Sequence, residues 1–242
     1  MNNIPTVTKN LLAINVLMFL ASLAVGKHGV DLNDILGLYF YKSADFHLYQ
    51  LVTYMFMHGG FAHLFFNMFA LFMFGRTLEL VWGPKRFLVF YMLAGVGAGL
   101  VQEAVGAVRY LSVTEGLDPE SIRLVLENGA AVLKQGMNYT NTALAEMNVV
   151  LNSQTVGASG AVYAILLGFG MLFPNERIFI FPLPFPIKAK FFVIGYALIE
   201  LYMGTAGTPD GVAHFAHLGG MLFGFVMIKM WRKKGEIGGP YV

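Results

Sequence analysis

Gly157-Ala158-Ser159-Gly160 opens one apolar stretch of the chain, and His217 stands within another. A serine hydroxyl is a weak nucleophile until a neighbouring base takes its proton, and histidine, with a pKa near neutrality, is the usual base. Gly157 and Gly160 flank the serine without side chains, so the backbone can turn sharply and a carbonyl group can approach closely. The tetrahedral intermediate of such an attack needs donors aimed at its oxyanion. His63 and Asn67, four residues apart and on one helix face, could supply them beside the Ser159 amide. Tyr163, one turn beyond Ser159, could lay its ring against the imidazole of His217 and orient the base where no aspartate is available. This chemistry is acyl transfer, and its place among apolar runs puts it inside hydrocarbon.

The elements that must position these groups are membrane helices. Hydrophobic residues make up 57% of the 242 and charged residues only 12%, against about 25% charged in a soluble domain. Six apolar runs approach the roughly 20 residues that a helix needs to cross a bilayer. They cover 11–25, 48–74, 87–108, 157–173, 189–204 and 211–231. The first is the shortest, and its Ala21-Ser22-Leu23-Ala24 resembles the end of a signal peptide, but a retained span is the preferred reading. There is no cysteine, which removes disulfides, thiol catalysis and cysteine metal sites. A net charge of +2 says little, whereas charge placement says more. With both termini cytoplasmic, the inner segments hold Lys9, Arg76, Lys85, Arg86, Arg177, Lys188, Lys190, Lys229, Arg232, Lys233 and Lys234. Only Lys27, Lys42, Arg109, Arg123 and Lys134 then lie outside, which sets the orientation. The expected location is a plasma (inner) membrane.

In that orientation the second span enters from outside carrying His58, His63 and Asn67. The fourth enters from outside with Ser159 near its start, and the sixth with His217 six residues in. At about 1.5 Å per residue, all fall in the outer half of the membrane.

These residues resemble those of the rhomboid intramembrane serine proteases. The resemblance rests on Gly157-Ala158-Ser159-Gly160 with Tyr163, on His58 and the His63-Leu64-Phe65-Phe66-Asn67 run, and on Ala213-His214-Phe215-Ala216-His217-Leu218-Gly219-Gly220 with Gly224. It implies an all-α membrane protein, a single domain over 1–242 built as a six-transmembrane-helix bundle. It also implies Ser159 as nucleophile, His217 as base of a Ser–His dyad, and His63, Asn67 and the Ser159 amide around the oxyanion. No cofactor is implied. The substrate would be a single-span membrane protein cut in or near its transmembrane segment, and no nucleic acid would take part.

Two features depart from the family pattern. Tyr49-Gln50 stands where many members carry Trp-Arg, so the first outer loop is expected to be held differently. Residues 109–156 form a long polar insertion between spans 3 and 4, where the family has a short connection. Asp118-Pro119-Glu120 reads as an N-cap, an N1 proline and a first-turn acid, so an amphipathic helix starts there and carries Ile122, Val125, Leu126, Val132 and Leu133. The first ten residues and the tail from Lys233 to Val242 are too short for a further domain, and no repeat or low-complexity tract stands out.

Each signal also has a plainer reading. A serine between glycines in an apolar helix is more often a packing residue, and Gly220 with Gly224 reads as a small-xxx-small contact bringing the sixth helix to the fourth. His214 reads as the weaker histidine, nearer the outer surface. Glu79 and Arg76 read as interfacial capping or ionic contacts, and Glu103 and Glu200 as outer helix-end carboxylates facing water or a loop. Two other function classes stay in view: a catalytically silent binder of membrane segments, and a metal or proton transporter using His58, His63, His214 and His217. Against the transporter, no carboxylate is spaced with those histidines as a ligand partner.

Overall fold

Backbone amides in hydrocarbon must be satisfied within their own segment, so the apolar runs become helices. In the computed structural model, residues 4–179, 185–207 and 211–237 are described. The first span is helix α1 (Thr6–Gly26). The leading amides of an α-helix have no intrahelical acceptor, and α1 obtains one from another helix. The Val7 and Thr8 N–H groups donate to the Glu79 carboxylate at 2.9 and 2.7 Å, and the Thr8 hydroxyl adds a third bond at 2.7 Å. Glu79 is thus the capping residue expected, with a negative charge at the positive end of the α1 dipole.

The second crossing begins later than the apolar run. After helix α2 (Leu32–Leu36), residues 50–56 form only a short helix α3 (Gln50–Thr53) and a 3₁₀ turn (Tyr54–Phe56). Helix α4 (Phe61–Ala70) then passes through a π-helical turn (Leu71–Gly75) into helix α5 (Arg76–Trp82). Together Phe61–Trp82 are long and apolar enough to span a membrane. The expected start at 48 is therefore corrected to Phe61, and His58 lies before the helix rather than on it. The cause is local: Gly59-Gly60 breaks the run, and Gln50 is committed to the loop ahead of it. The buried Gln50 amide accepts from the N–H of His47 (3.0 Å) and Tyr39 (3.4 Å), and donates to the carbonyls of Asp45 (2.9 Å) and Ile35 (3.3 Å). A single glutamine side chain holds this loop by both its donor and its acceptor atoms.

Gly83 takes φ 81°, a conformation that favours glycine, and turns the chain into helix α6 (Pro84–Thr114) with proline at its first position. Helix α9 (Ser159–Leu172) follows the insertion described below, then a two-stranded antiparallel ribbon (Arg177–Ile178 with Ile187–Lys188), α10 (Ala189–Ala206) and α11 (His214–Lys233). At 14 residues α9 is about 21 Å long, short of the roughly 30 Å hydrocarbon core. A helix of that length cannot reach both surfaces, so one of its ends is sunk within the bilayer thickness. It is also central, with most of its residues buried. Glycines set its distance from its neighbours: a Cβ on Gly220 would overlap the Gly160 carbonyl, and one on Gly224 would lie 3.0 Å from the Ala164 Cβ.

The insertion holds two helices, α7 (Pro119–Lys134) and α8 (Thr142–Asn152), where one was expected. Asp118 caps α7 by accepting from the N–H of Glu120 (3.0 Å) and Ser121 (2.9 Å), and Asn141 caps α8 in the same way through Ala143 and Leu144. The two helices and the end of α6 enclose a second small core of Phe40, Val125, Met147, Val150 and Leu151. Leu126 does not join it and is 57% exposed, a correction to the expected apolar face. Gly129 explains the difference: it lets the Asn148 and Asn152 side chains close in on α7, which rotates the buried stripe towards Val125 and Gly129 and away from Leu126. Ion pairs of Arg109 with Glu146 (3.1 Å) and of Lys134 with Asp34 (3.6 Å) tie the insertion to α6 and α2.

Candidate active site

The site is assembled where α9 begins. The segment ahead of it is pinned by a bridge between Leu38 and Thr155 and by the Gly157 N–H donating to the Tyr54 carbonyl at 2.9 Å. Gly157 has φ 133°, in the region open chiefly to glycine. Ser159 is then the first helical residue of α9, and its amide is among those that a helix leaves without an intrahelical partner. Hydroxyl and amide thus face the same end of the bundle, where the helix dipole favours negative charge.

His217, one turn into α11, brings Nε2 to 2.8 Å from Ser159 Oγ. The Tyr163 ring stacks on the imidazole with centroids 4.2 Å apart and planes 8° from parallel. Both lie among packed helices, and His217 is 7% exposed. Beside Ser159, the position that a Cβ on Gly157 would occupy lies 2.8 Å from His63 Nε2 and 3.4 Å from Ser159 Oγ. A side chain there would fill the space between the two groups, which glycine leaves open. The Gly59 N–H donates to His63 Nδ1 at 3.4 Å, and the buried Asn67 side chain donates to the His63 carbonyl at 3.1 Å. His58, ahead of α4, is buried with its ring edge-on to His63 at 5.1 Å. Gly160 lies behind Ser159 against Ala98 of α6, and Gly220 lies against Gly160 itself.

One carboxylate enters this cluster against expectation. Glu200, on α10, is 5% exposed and receives three groups: the Tyr163 hydroxyl donates to Oε1, while Oε2 lies 2.6 Å from His214 Nδ1 and 2.9 Å from His217 Nδ1. The His214 contact is a hydrogen bond; the His217 contact has the separation of an ion pair without the straight N–H···O line of a well-aligned bond. The expectations that Glu200 faces water or a loop, and that the histidines lack a carboxylate partner, are both corrected. Position along α10 gave its depth, but not the fact that α9 and α11 close over that depth. Glu103 does find a loop partner, accepting from the Tyr41 N–H at 2.7 Å. His214 is 8% exposed, more enclosed than its place at the start of α11 suggested. The signal available for Glu200 was its presence as a carboxylate within an apolar helix, a costly placement that points to a partner.

Glu200, His214 and His217 are also the residues, among those described, whose ligand atoms come close enough to share a metal ion. The four histidines of the transporter reading do not form such a ligand group among the described residues; His214 and His217 face Glu200, while His58 packs against His63. Oε2 lies 2.6 Å from His214 Nδ1 and 2.9 Å from His217 Nδ1, closer than two ligands of one ion stand. Ligands each ~2.0–2.1 Å from a tetrahedral zinc ion would stand ~3.3 Å apart.

Comparison with known proteins follows the same lines. A rhomboid domain model matches residues 45–234. The mitochondrial Rhomboid protein 1 of Saccharomyces cerevisiae is 26% identical over 176 residues, covering 70% of this chain and 38% of that protein. The chloroplastic Rhomboid-like protein 11 of Arabidopsis thaliana is 27% identical over 239 residues, covering 92% of this chain and 64% of that protein. A putative rhomboid protease of Bacillus subtilis, YdcA, is 40% identical over 48 residues, covering 20% of this chain and 24% of that protein. The chain therefore spans less than two thirds of the length of each of these relatives. The domain match takes in well over half of the chain and every site residue above, and this integral membrane protein belongs to the rhomboid family.

Proposed function

We propose that this chain is an intramembrane serine endopeptidase that cuts single-span membrane proteins in or near their transmembrane segments. The observation that carries the reading is the 2.8 Å approach of His217 Nε2 to Ser159 Oγ at the start of a short central helix. Ser159 Oγ attacks the scissile carbonyl while its proton passes to His217 Nε2. The oxyanion is received in the space beside Gly157, which the Ser159 amide and His63 Nε2 border, with Asn67 one turn further along α4. His217 then returns the proton to the leaving amine, and water resolves the acyl-enzyme by the same route in reverse. The topology belonging to this reading has both termini on the cytoplasmic side of a plasma membrane, with the site opening outward. The names of the yeast and plant relatives place those proteins in mitochondria and chloroplasts.

The test is labelling of the purified full chain, in detergent or liposomes, with a fluorophosphonate serine probe, together with cleavage of a model transmembrane substrate. Wild type should label and cleave. Ser159→Ala and His217→Ala should each lose at least ~10⁴-fold, since members of such a unit fail together. Folded wild type that neither labels nor cleaves would leave the silent binder as the reading.

A further inference from the structure

We propose that Glu200 is the positioning residue of the site, fixing His217 in the tautomer and orientation that make it a base for Ser159. This rests on the proposed function, with Ser159 as nucleophile. An ionised carboxylate can only accept hydrogen bonds. The groups that surround Glu200 come from two other helices: Tyr163 from α9, and His214 and His217 from α11. The carboxylate charge 2.9 Å from His217 Nδ1 favours the proton on that nitrogen even without a straight hydrogen bond, which leaves the lone pair of the neutral ring on Nε2, the atom facing Ser159 Oγ.

The same placement serves the reaction as it proceeds. When Ser159 Oγ bonds to the scissile carbon, its proton moves to Nε2 and the ring becomes an imidazolium. The carboxylate 2.9 Å from Nδ1 faces that new positive charge with both side chains buried, where the attraction is stronger than in open water. Glu200 does not itself take the proton; His217 Nε2 hands it to the leaving nitrogen, so the proton count at Glu200 is unchanged throughout. Tyr163 supports both partners at once, its ring against the imidazole and its hydroxyl on Glu200 Oε1. His214 bonds Oε2, the same carboxylate oxygen that faces His217. A ring that is only stacked is free to rotate in its own plane, and the stacked tyrosine cannot choose between tautomers. The carboxylate supplies both constraints.

A buried carboxylate joining three helices could also serve stability alone, so the experiment separates the two roles. The full-length protein in liposomes would be compared as wild type, Glu200→Gln, Glu200→Asp and Tyr163→Phe for fluorophosphonate labelling rate, kcat and KM on a transmembrane substrate, and Tm. Glu200→Gln keeps the shape but removes the charge, and its Nε2 presents donors to the histidines. It should lower kcat and labelling ~10²–10⁴-fold with KM within ~3-fold, by analogy with loss of the acid in a serine triad. Glu200→Asp should recover at least ~10-fold of that loss at a Tm no higher than that of Glu200→Gln. Tyr163→Phe, which keeps the ring and removes one donor, should cost ~3–30-fold in kcat. Wild-type kcat in folded Glu200→Gln would overturn the proposal, as would losses across the series that follow Tm alone. If Glu200→Gln does not fold, the Glu200→Asp and Tyr163→Phe rates decide: wild-type kcat in both overturns it. Either result leaves Ser159 labelling of the wild type intact, whereas failure of that labelling would remove the underlying function as well.

Discussion

The polar centre around Ser159 and the insertion around Met147 are both buried, yet they are held by different means. At the centre, Ser159, Tyr163, Glu200, His214 and His217 come from α9, α10 and α11 and meet one another across the helices, with glycines setting how closely the helices approach. In the insertion, each helix carries its own N-cap and adds apolar side chains to a small separate core. The first arrangement exists only if distant segments meet at the right distance. The second is largely written into adjacent residues. Damage at the centre should therefore remove activity, and damage in the insertion should remain local.

The comparison is broken most severely at a helix contact. Gly220→Val would push a side chain into the Gly160 backbone, so the destabilisation should exceed the ~1–3 kcal/mol of ordinary overpacking, and activity should vanish with it. Wild-type Tm in this variant would show that the α9–α11 approach does not depend on that glycine. Next in size are His63→Ala and Asn67→Ala, for which kcat should fall on the order of 10- to 1000-fold if both donate to the oxyanion. His63 borders the space beside Gly157, whereas the Asn67 amide already donates to the His63 carbonyl, so His63→Ala should have the larger effect. An unchanged kcat in both would move the oxyanion site elsewhere.

Met147→Ala sharpens the contrast from the other side. Met147 is fully enclosed in the second core, so its truncation should cost about 2–5 kcal/mol within the insertion. Hydrogen exchange should rise in α7 and α8 while kcat stays within a few-fold of wild type; a collapse of kcat would mean that the two regions are coupled. The smallest effect belongs to the cap. The Ser121 hydroxyl and amide hold the Asp118 carboxyl below the usual carboxylate range. A depressed folded-state pKa means that the cap contributes above the ordinary aspartate range and is lost as pH falls through the lowered value. Exchange protection in the first turn of α7 should weaken on acidification in wild type, and should show no such dependence in Asp118→Asn, which keeps the cap without the charge.

Residues with local signals were legible. Asp118-Pro119 marks the start of α7 because a cap and an N1 proline are decided by bonds within a few residues, and Asn141 ahead of Thr142 is a weaker signal of the same kind for α8. Gly59-Gly60 could also have moved the start of the second span from 48 to Phe61, but hydropathy averages over such a break. Leu126 shows the limit of periodicity: Ile122, Val125 and Leu126 all fit an apolar stripe, and only the approach of α8 at Gly129 chooses which of them are covered.

The sequence by itself determined the membrane class, the apolar helices, and a set of chemically matched groups that share one depth, because composition and helical rise are properties of each segment alone. Only the tertiary structure decided which face of each helix those groups meet on. Glu200 and Glu103 both fall towards the outer ends of apolar runs in the sequence, and nothing in the spacing tells them apart. One accepts a loop amide and the other closes on two histidines and a tyrosine, because α9 and α11 present Tyr163, His214 and His217 to Glu200 whereas the Tyr41 backbone is what reaches Glu103. Depth follows from counting residues, whereas the angle around a helix acquires meaning only when a neighbour is placed beside it.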